Sequence, residues 1–247
     1  MDSTLYDIHR NWHDTHWWFQ GRKKIVGFLL ARAWRKRKKL KSIIDIGSGG
    51  GSMIAMLKKH ASEVDILEPN NRLAYLIKKS GDSNNVYDVP LELFRGTREY
   101  SAASLFDVLE HIQDDMKALN KIHSMLETGG FIAITVPAYD FLWSSHDVKA
   151  GHFRRYTRSE IVKKLEACGF SVKRATYFNT ILFPVVWAVR VFRKKDAKFS
   201  GSKSDFSFGA TGAVNWLLGM MFSFEKICLF FGNFPFGVSI FCLAEKK

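Results

Sequence analysis

The sequence predicts an α/β fold, a mostly parallel sheet with helices on both faces. Short apolar runs typical of buried strands alternate along most of the chain with segments that have the apolar spacing of amphipathic helices. A glycine cluster at residues 47–51 follows the first of these strands and opens a helix. Repeated strand–helix units of this length are joined by right-handed crossovers, which make neighbouring strands parallel.

Each predicted element follows from an apolar run and its terminator. Strands are predicted at residues 42–47, 64–68, 86–87, 102–106, 131–136, 170–177 and 238–244. Helices are predicted in residues 1–41, from the glycine cluster to residue 57, and at 73–79, 114–126 and 157–168. Pro69 ends the second strand, while Gly81 and the pair Gly129-Gly130 end helices. Thr157 and Glu160 have the spacing of a capping box at the start of the last of these helices.

Four regions are expected along the chain. Residues 1–41 form a basic, helical cap, residues 42–177 the core, and residues 236–247 a strand that completes the core. Between them, residues 178–235 are a helical, apolar insertion, which is long for a connection within a compact domain and is therefore expected to be functional or helical.

Composition and charge restrict the class of protein. A hydrophobic fraction of 47% with 25% charged residues is that of a folded globular protein, which excludes fibrous and disordered classes. The net charge of +13 favours anionic partners such as nucleic acid, phosphorylated substrates or acidic membrane. Cys168, Cys228 and Cys242 lack metal-site or disulfide spacing, and the N-terminus lacks a signal pattern, so we expect a cytoplasmic protein.

The glycine cluster indicates a ligand site at the carboxyl end of the first strand. Asp45 ends that strand, and Gly47, Gly49 and Gly51 follow it at alternate positions. Glycines let the chain turn sharply and let a ligand approach the backbone closely. A dinucleotide-binding fingerprint would require Gly or Ala at position 52, where this chain has Ser52. That fingerprint also does not require an acid at position 45, so the pattern differs from it.

Acidic residues follow several predicted strands. Glu68 ends the second strand, where a carboxylate can accept both hydroxyls of a ribose, and Asp107, Glu110 and Asp88 also lie just beyond strand ends. The carboxyl ends of parallel strands share one edge of the sheet, so these acids are expected to form a locally negative pocket. Such a pocket suits a cationic ligand such as a sulfonium, although each acid taken singly could be a helix cap or a solvated loop residue.

These motifs resemble those of the class I S-adenosylmethionine-dependent methyltransferases. The matching segments are residues 43–51, 66–69, 105–112 and 126–136. Outside this core, residues 17–22 and 142–157 resemble a bacterial subgroup associated with polysaccharide, lipid-linked sugar or natural-product pathways. The resemblance implies a Rossmann-like, doubly wound sheet of seven strands, with an antiparallel C-terminal strand and a helical insertion.

The resemblance also implies S-adenosylmethionine as the cofactor and a set of residues that bind it. The glycines would line its methionine end, Asp45 would contact its amino group through water or backbone, and Glu68 would bind the ribose. The full set is Asp45, Gly47, Ser48, Gly49, Gly51, Glu68, Pro69, Asp88, Phe106 and Asp107. The chain departs from the family at Tyr100-Ser101, where an aromatic–Asp pair is common, and the adenine-contacting acid is assigned to Asp88.

Methylation of a hydroxyl requires a base, and His111, His146 and His152 are the candidates because each follows a strand. The alternative for each is a structural or surface histidine. Tyr139, Tyr156 and Arg155 are expected to line the acceptor pocket. His9, His13 and His16 have helical spacing beside Trp12, but no accompanying carboxylate completes a metal site, so an aromatic lid is preferred and no metal is predicted.

The predicted reaction is methylation, at oxygen, of a small or lipid-linked acceptor. Nucleic-acid methylation is the rival, but neither the Pro-Pro turn after the fourth strand nor a nucleophilic cysteine is present, and no RNA-binding module is visible. A non-catalytic binding protein that keeps the fold is the third alternative.

Basic residues flank the apolar segments that begin at Ile25 and Ile181, a pattern of peripheral contact with an anionic membrane. Packing of these faces on the domain, or in a homodimer, is the alternative. Neither Ile181–Phe192 nor Ala213–Phe231 is expected to span a membrane. The first is short and contains Pro184 and Arg190, and the second contains Asn215, Glu225 and Lys226.

Overall fold

The computed structural model describes residues 15–35, 39–195 and 212–247. Seven strands form one sheet: β1 (Leu40–Ile46), β2 (Ala61–Leu67), β3 (Val86–Tyr87), β4 (Tyr100–Phe106), β5 (Leu126–Pro137), β6 (Phe170–Phe178) and β7 (Ser239–Lys246). The helices are α1 (Trp17–Trp34), α2 (Ile54–Leu57), α3 (Asn71–Ser80), α4 (Asp115–Met125), α5 (Ser145–Ala150), α6 (Arg158–Ala167), α7 (Phe183–Lys195) and α8 (Gly212–Phe231).

The strand order is β3-β2-β1-β4-β5-β7-β6. Neighbouring strands from β3 to β5 pair in parallel, whereas β7 pairs antiparallel with both β5 and β6. The predicted fold class, including the antiparallel C-terminal strand, is therefore confirmed. The chain reverses its strand order between β1 and β4, and a parallel sheet opens its ligand crevice at such a switch point.

Two apolar clusters cover the two faces of the sheet. Side chains of successive residues on a strand point to opposite faces, so Ile44 belongs to one cluster and Ile43 to the other. The first cluster includes α4 and α6, and the second includes α1, α2 and part of α8. The continuous burial of β1 and β4 follows from this double cover.

Helix α1 packs on the sheet and does not present its apolar face to solvent. Ile25, Val26, Leu29 and Leu30 are completely buried. The segment that begins at Ile25 was one of the two considered for a membrane surface, and that interpretation is wrong for α1 because these side chains belong to the core. The charged residues 36–38 that follow it lie outside the described residues.

Two predicted boundaries are also wrong. The glycine cluster does not open the helix directly, since α2 contains only residues 54–57. Helix α4 ends at Met125, and the pair Gly129-Gly130 lies inside β5 instead of ending the helix. The pairing of β4 with β5 is irregular at this point, and Gly129 has a φ of 76°, so the glycines shape a bulge in the strand.

The insertion contains α7 and α8. Helix α8 is anchored on one side by its single acid, Glu225, which is fully buried and accepts hydrogen bonds from the backbone N–H groups of Asn179 and Ile181 at 2.6 and 2.8 Å. Asn215 accepts a bond from the N–H of Trp17 at 2.8 Å. These contacts fix one face of α8 against the core.

The opposite face of α8 is exposed and apolar. Its exposed large side chains include Trp216, Leu217, Met220, Phe224, Ile227 and Phe231. These six fall within about 100° of one another around the helix, so they form a single stripe, here called the α8 apolar face. By length and hydropathy α8 is one helix that could cross a membrane, and only 22% of its most apolar window is buried.

Candidate active site

A cavity of 480 Å³ opens at the carboxyl ends of β1, β2 and β4. Its floor is formed by the turns that follow these strands, and α1 and α7 form its walls. Volumes between 300 and 1,000 Å³ are typical of small-molecule sites. The cavity therefore lies where the sequence placed a ligand and has room for one.

The glycine turn presents bare backbone to this cavity. Gly47 and Gly49 have φ values of 67° and 58°, in the left-handed region that side chains disfavour. A Cβ on Gly47 would lie 2.6 Å from a methyl carbon of Val108, whereas a Cβ on Gly49 would point into open space. Gly49 is thus where a ligand can approach the main chain, and any side chain there would occupy the ligand's space.

Glu68 ties the second strand to this turn. One carboxylate oxygen accepts the N–H of Gly49 at 2.7 Å, and the other accepts the N–H of Asn70 at 2.9 Å. Glu68 is buried, and burial raises the pKa of its carboxyl group, while the two backbone bonds oppose that rise. Each carboxylate oxygen has a further lone pair, so the group can still accept hydroxyl donors from a ligand.

Asp45 lies beneath the turn. Its Oδ1 accepts the hydroxyl of Ser104 from β4 at 2.6 Å. Burial raises the pKa of Asp45 to about 6, although the bond from Ser104 and the charge of Arg22 both lower it. The carboxyl group of Asp45 therefore changes charge within the accessible pH range.

Asp107 closes the floor with a strained backbone. Its φ is 59°, which is uncommon outside glycine, and the positive φ turns the chain away from the end of β4. Its carboxylate pairs with Arg22 of α1 and accepts the hydroxyl of Thr135 at 3.0 Å. Phe106, directly before it, lines the cavity as well. An N-terminal helix is thereby fixed over the site by an ion pair.

The three predicted histidines all line the cavity. His111 follows β4 in a 3₁₀ turn, and His146 and His152 lie in and after α5. The rings of His111 and His152 are 4.6 Å apart, and those of His146 and His152 are 6.1 Å apart. Burial, and then the neighbouring His152, lower the pKa of His111 to about 4, so its ring is neutral at physiological pH.

His152 is oriented by a buried carboxylate. Its Nδ1 lies 2.8 Å from Oδ1 of Asp147, which is completely buried. Asp147 also receives Nε and Nη2 of Arg155 at 2.8 and 3.0 Å. Burial alone would raise the pKa of Asp147, but the bond to His152 and the charge of Arg155 hold it well below its usual range.

Glu110 lies next to His111 and is almost fully buried. Burial, followed by the negative charge of Asp107, raises the pKa of Glu110 well above its usual value. Its Oε2 has no hydrogen-bond partner among the described residues. A ligand atom of Glu110 lies within 4.8 Å of one on His111 and one on His152, so this group could hold a metal ion.

The structure does not bring every predicted residue to the cavity. Asp88 follows β3, and its exposed carboxylate lies 3.4 Å from Lys78. Tyr139 stacks on Tyr177 with ring centroids 5.2 Å apart. The hydroxyl of buried Tyr156 donates to Asp115 at 3.0 Å. None of these three is among the cavity residues.

Gly51 is also not among the residues that line the cavity, and a Cβ there would lie 2.9 Å from Ile54. Ser48, Pro69 and Arg155 do line the cavity, but the guanidinium of Arg155 is engaged by Asp147. His16 caps α1 by accepting the N–H of Trp18. His9, His13 and Trp12 lie outside the described residues, so a lid formed by them stays a prediction.

Sequence reasoning missed part of the cavity wall. Asp147 carried a signal, because Ser144 and Asp147 have the spacing of a capping box and form one in α5. Arg22 lies in residues 17–22, for which the sequence indicated a family resemblance but no role in the cavity. The apolar half of the cavity gave no separable signal, since valines of an amphipathic helix also fit a core. It consists of Leu182, Val185, Val186, Val189, Leu218 and Val238.

Comparison with known proteins places the chain in a structural class. The model of a family described as a methyltransferase domain matches residues 18–175. No curated protein matches the chain by sequence. Three similar solved structures have the same fold, each with low sequence identity.

The first is the N-methyltransferase NodS from Bradyrhizobium japonicum WM9, solved with S-adenosylhomocysteine, with a TM-score of 0.59, 10% identity, and coverage of 95% of this chain and 90% of that one. The second is the plantazolicin methyltransferase BpumL, solved with a triazolic desmethylPZN analogue and S-adenosylhomocysteine. Its TM-score is 0.62 and its identity 13%, and the match covers 99% of this chain and 90% of that one. The third is an S-adenosylmethionine-dependent methyltransferase from Clostridium acetobutylicum ATCC 824. Its TM-score is 0.57 and its identity 10%, and the match covers 91% of this chain and 92% of that one.

Proposed function

The chain belongs to the methyltransferase-domain family that matches residues 18–175, and from this premise we propose that it transfers a methyl group from S-adenosylmethionine to a hydroxyl of a small or lipid-linked acceptor. The observation that carries the proposal is the bond from Gly49 to Glu68 at the rim of an acid-lined crevice. Similar structures contain S-adenosylhomocysteine, which is what S-adenosylmethionine becomes when it loses its methyl group.

We assign the cofactor to the glycine-turn half of the cavity. Its methionine part would lie against the backbone of Gly47 and Gly49, its ribose hydroxyls would donate to Glu68, and its ammonium group would lie near Asp45. Phe106 and Asp107 would form the floor. Asp45, Glu68 and Asp107 line this half of the cavity, and their carboxylates favour a sulfonium cation over an anionic ligand. Asp88 is not included, because its carboxylate is at the surface.

The protein contributes to methyl transfer mainly through geometry. The acceptor oxygen attacks the methyl carbon in line with the departing sulfur, and a dry cavity holds the two in position. A hydroxyl acceptor must also lose its proton, and a group within hydrogen-bond distance accelerates that loss. We propose that the cluster of His111, His146 and His152 provides this group, since all three face the cavity.

The apolar half of the cavity supports a lipid-like or otherwise apolar acceptor. It is lined by aliphatic side chains of α7 together with Leu218 of α8. The three arginines that line the cavity are engaged: Arg22 is bound to Asp107, Arg155 to Asp147, and Arg190 donates to the carbonyl group of Leu142. A nucleic-acid substrate would require cations available for phosphate, so the positive charge of the chain does not by itself favour one.

We further propose that the protein is cytoplasmic and contacts an anionic membrane surface through the α8 apolar face. Arg32 stacks on the ring of Phe230 at 4.5 Å, and Arg174 donates to the carbonyl groups of Leu229 and Gly232, so basic side chains surround the end of this helix. Apolar side chains bordered by cations are typical of interfacial helices. Pairing of two chains through the same face is the alternative.

Calorimetry tests the cofactor assignment. We expect the chain to bind S-adenosylmethionine and S-adenosylhomocysteine, and Glu68→Ala to weaken both by about tenfold to a hundredfold, the value of one charged hydrogen bond. Glu63→Ala is the matched control, because Glu63 lies on the same strand with its side chain 42% exposed. Absence of binding to the unaltered chain, or equal binding by Glu68→Ala, contradicts the assignment.

A transfer assay tests the acceptor class. The protein is incubated with S-adenosylmethionine carrying a labelled methyl group and, separately, a bacterial lipid extract, water-soluble metabolites and total RNA. We expect label in the lipid or metabolite fraction. Label confined to RNA would support the nucleic-acid alternative, and cofactor binding without transfer to any fraction would support a non-catalytic protein.

A further inference from the structure

Glu110, His111 and His152 form a cluster that the cofactor assignment does not use. Their ligand atoms lie within 4.8 Å of one another at the wall of the cavity. Two of the three residues are consecutive in the turn after β4, and the third reaches them from the segment after α5. Elements distant in sequence therefore converge on one small volume.

The carboxylate of Glu110 is the unexplained part of this cluster. Glu110 is 1% exposed, and its Oε2 has no hydrogen-bond partner among the described residues. A buried oxygen without a partner is costly, and folded proteins seldom retain one without a functional reason. The atom lies beside two imidazoles, which are the groups most often found with a carboxylate around a transition-metal ion.

His152 is held by a buried carboxylate, as metal-binding histidines commonly are. Asp147 accepts Nδ1 of His152 at 2.8 Å and is itself fixed by Arg155 and by the N–H of Ser144 at 2.8 Å. Because an ionised carboxylate can only accept, Nδ1 carries a proton, so in the neutral ring Nε2 has the lone pair that a ligand needs. A carboxylate behind a histidine in this way orients the ring and strengthens it as a ligand.

We propose that Glu110, His111 and His152 bind a divalent transition-metal ion, of the type of Zn²⁺, Mn²⁺, Fe²⁺ or Co²⁺, at the wall of the cavity. Two imidazoles with one carboxylate suit these ions better than Mg²⁺ or Ca²⁺, which prefer oxygen ligands. Ligands at about 2.1 Å from such an ion are roughly 3.0–3.4 Å apart, so binding draws the three side chains slightly together.

The remaining coordination positions of the ion would face the cavity. This step, unlike the metal site itself, rests on the proposed methyl transfer. The acceptor hydroxyl binds to the ion at one of these positions, and the pKa of the hydroxyl falls. Its proton passes to His146, which also lines the cavity. The oxygen then forms the new bond to the methyl carbon, and the electron pair of the broken carbon–sulfur bond stays on sulfur, leaving S-adenosylhomocysteine.

Cobalt titration of the full chain tests the metal site without cofactor or acceptor. After treatment with a chelator and its removal, we expect the protein to bind Co²⁺ with the visible absorption of a nitrogen-ligated ion, and Zn²⁺ to displace it. Glu110→Gln and His152→Gln should each weaken Co²⁺ binding by about tenfold or more. Each variant loses a metal ligand, and even the loss of a residue that only supports a ligand lowers metal affinity by that much. His123→Gln is the control, because His123 packs on Phe170 away from the cavity.

The outcomes separate this proposal from the proposed function. His9 and His13 are present in every variant, so binding by them contributes equally to all. Unchanged Co²⁺ binding in both cluster variants, with circular dichroism showing folded protein, overturns the metal site. Absence of Co²⁺ and Zn²⁺ binding to a chain that binds S-adenosylhomocysteine also overturns it, and would mean that Glu110 shares a proton with a histidine. Metal binding without cofactor binding overturns the proposed function alone.

Discussion

The N–H of Gly49 donates to the carboxylate of Glu68 across 2.7 Å, which joins the turn after β1 to the end of β2. The two residues that the sequence assigned to different parts of one ligand are therefore in direct contact. The carboxylate stabilises the left-handed backbone of the glycine turn in addition to any bond it makes to a ribose.

Loss of Glu68 should therefore loosen the turn even without ligand. We expect the amide hydrogen of Gly49 to exchange about tenfold to a hundredfold faster in Glu68→Ala, since a hydrogen bond to a charged group contributes about 1.5–3 kcal/mol. Hydrogen exchange followed by NMR or mass spectrometry measures it. Exchange in Glu63→Ala should match that of the unaltered chain, and the same protection in Glu68→Ala would show that the bond does not order the turn.

Cofactor affinity should depend on pH through Asp45. Burial raises the pKa of this carboxyl to about 6, and the ammonium group of the cofactor prefers the ionised form. Affinity should therefore be constant above pH 7 and fall by about tenfold between pH 7 and pH 5, the limit for one group with this pKa.

Asp45→Asn should bind more weakly and lose this part of the pH dependence. Glu68 remains in both proteins, so the difference between their calorimetric profiles isolates Asp45. Identical slopes for the two proteins between pH 5 and pH 7 would contradict the placement of the ammonium group near Asp45.

The stability of the chain should fall as pH rises through 7 because of Glu225. The pKa of this carboxyl is raised from 4.5 to about 7 by burial, against the opposing effect of its backbone hydrogen bonds. A raised carboxyl pKa favours the folded state below the unfolded value of about 4.5, and that advantage is lost as pH rises through 7. The loss should amount to about 3 kcal/mol in the free energy of unfolding.

Urea unfolding of the unaltered chain and of Glu225→Gln at pH 5 and pH 8 measures this contribution. Glutamine cannot ionise, so its variant should show a smaller decrease between the two pH values. Other carboxyl groups contribute equally to both proteins. A parallel decrease in the two proteins would mean that Glu225 is hydrated and not buried.

Two leucines distinguish the buried helix from the exposed one. Leu29 of α1 is fully buried, whereas Leu217 of α8 is 49% exposed. We expect Leu29→Ala to lower the free energy of unfolding by about 2–5 kcal/mol. Leu217→Ala should change it by less than about 0.5 kcal/mol. Chemical denaturation gives both values, and a small effect at Leu29 would be inconsistent with α1 as part of the core.

The α8 apolar face should bind anionic vesicles. In co-sedimentation with vesicles of phosphatidylcholine and phosphatidylglycerol, the bound fraction should be high at low salt and fall as salt screens the basic side chains. The double variant Trp216→Ser and Phe224→Ser should bind about tenfold more weakly or worse, since it loses two aromatic groups from the interface.

Tyr75→Ser is the matched control, because Tyr75 is an aromatic side chain on α3 that is 63% exposed. Its vesicle binding should equal that of the unaltered chain. If no binding occurs at low salt, and sedimentation equilibrium instead shows a dimer that the double variant dissociates, the face is an interface between two copies.

Local sequence was sufficient for the sheet and for the glycine-turn half of the cavity. Apolar runs and their terminators give strands and helices because burial and backbone geometry act within a few residues. The positions of Asp45, Gly47, Gly49 and Glu68 follow from them, since the carboxyl ends of adjacent parallel strands meet at one edge. The bulge at Gly129 could not be predicted, because a glycine pair after a helix has the same local signature as a helix terminator.

Contacts between residues distant in sequence determined the other half of the cavity, which the histidines and the aliphatic side chains line. Tyr139 and Tyr156 follow a strand as the site residues do, yet they turn to Tyr177 and Asp115, partners from other elements. Glu110, His111 and His152 become a cluster only because the segment after α5 returns to the turn after β4, where the N–H of Phe153 donates to the carbonyl group of Glu110 at 2.8 Å. Helix α1 is buried and α8 is exposed because of what each packs against, and the spacing of apolar residues in the sequence does not distinguish the two. The sequence by itself thus determined the sheet and its glycine turn, whereas the tertiary structure decided the histidine-lined and apolar side of the cavity, since burial and partners there are set by packing across the chain.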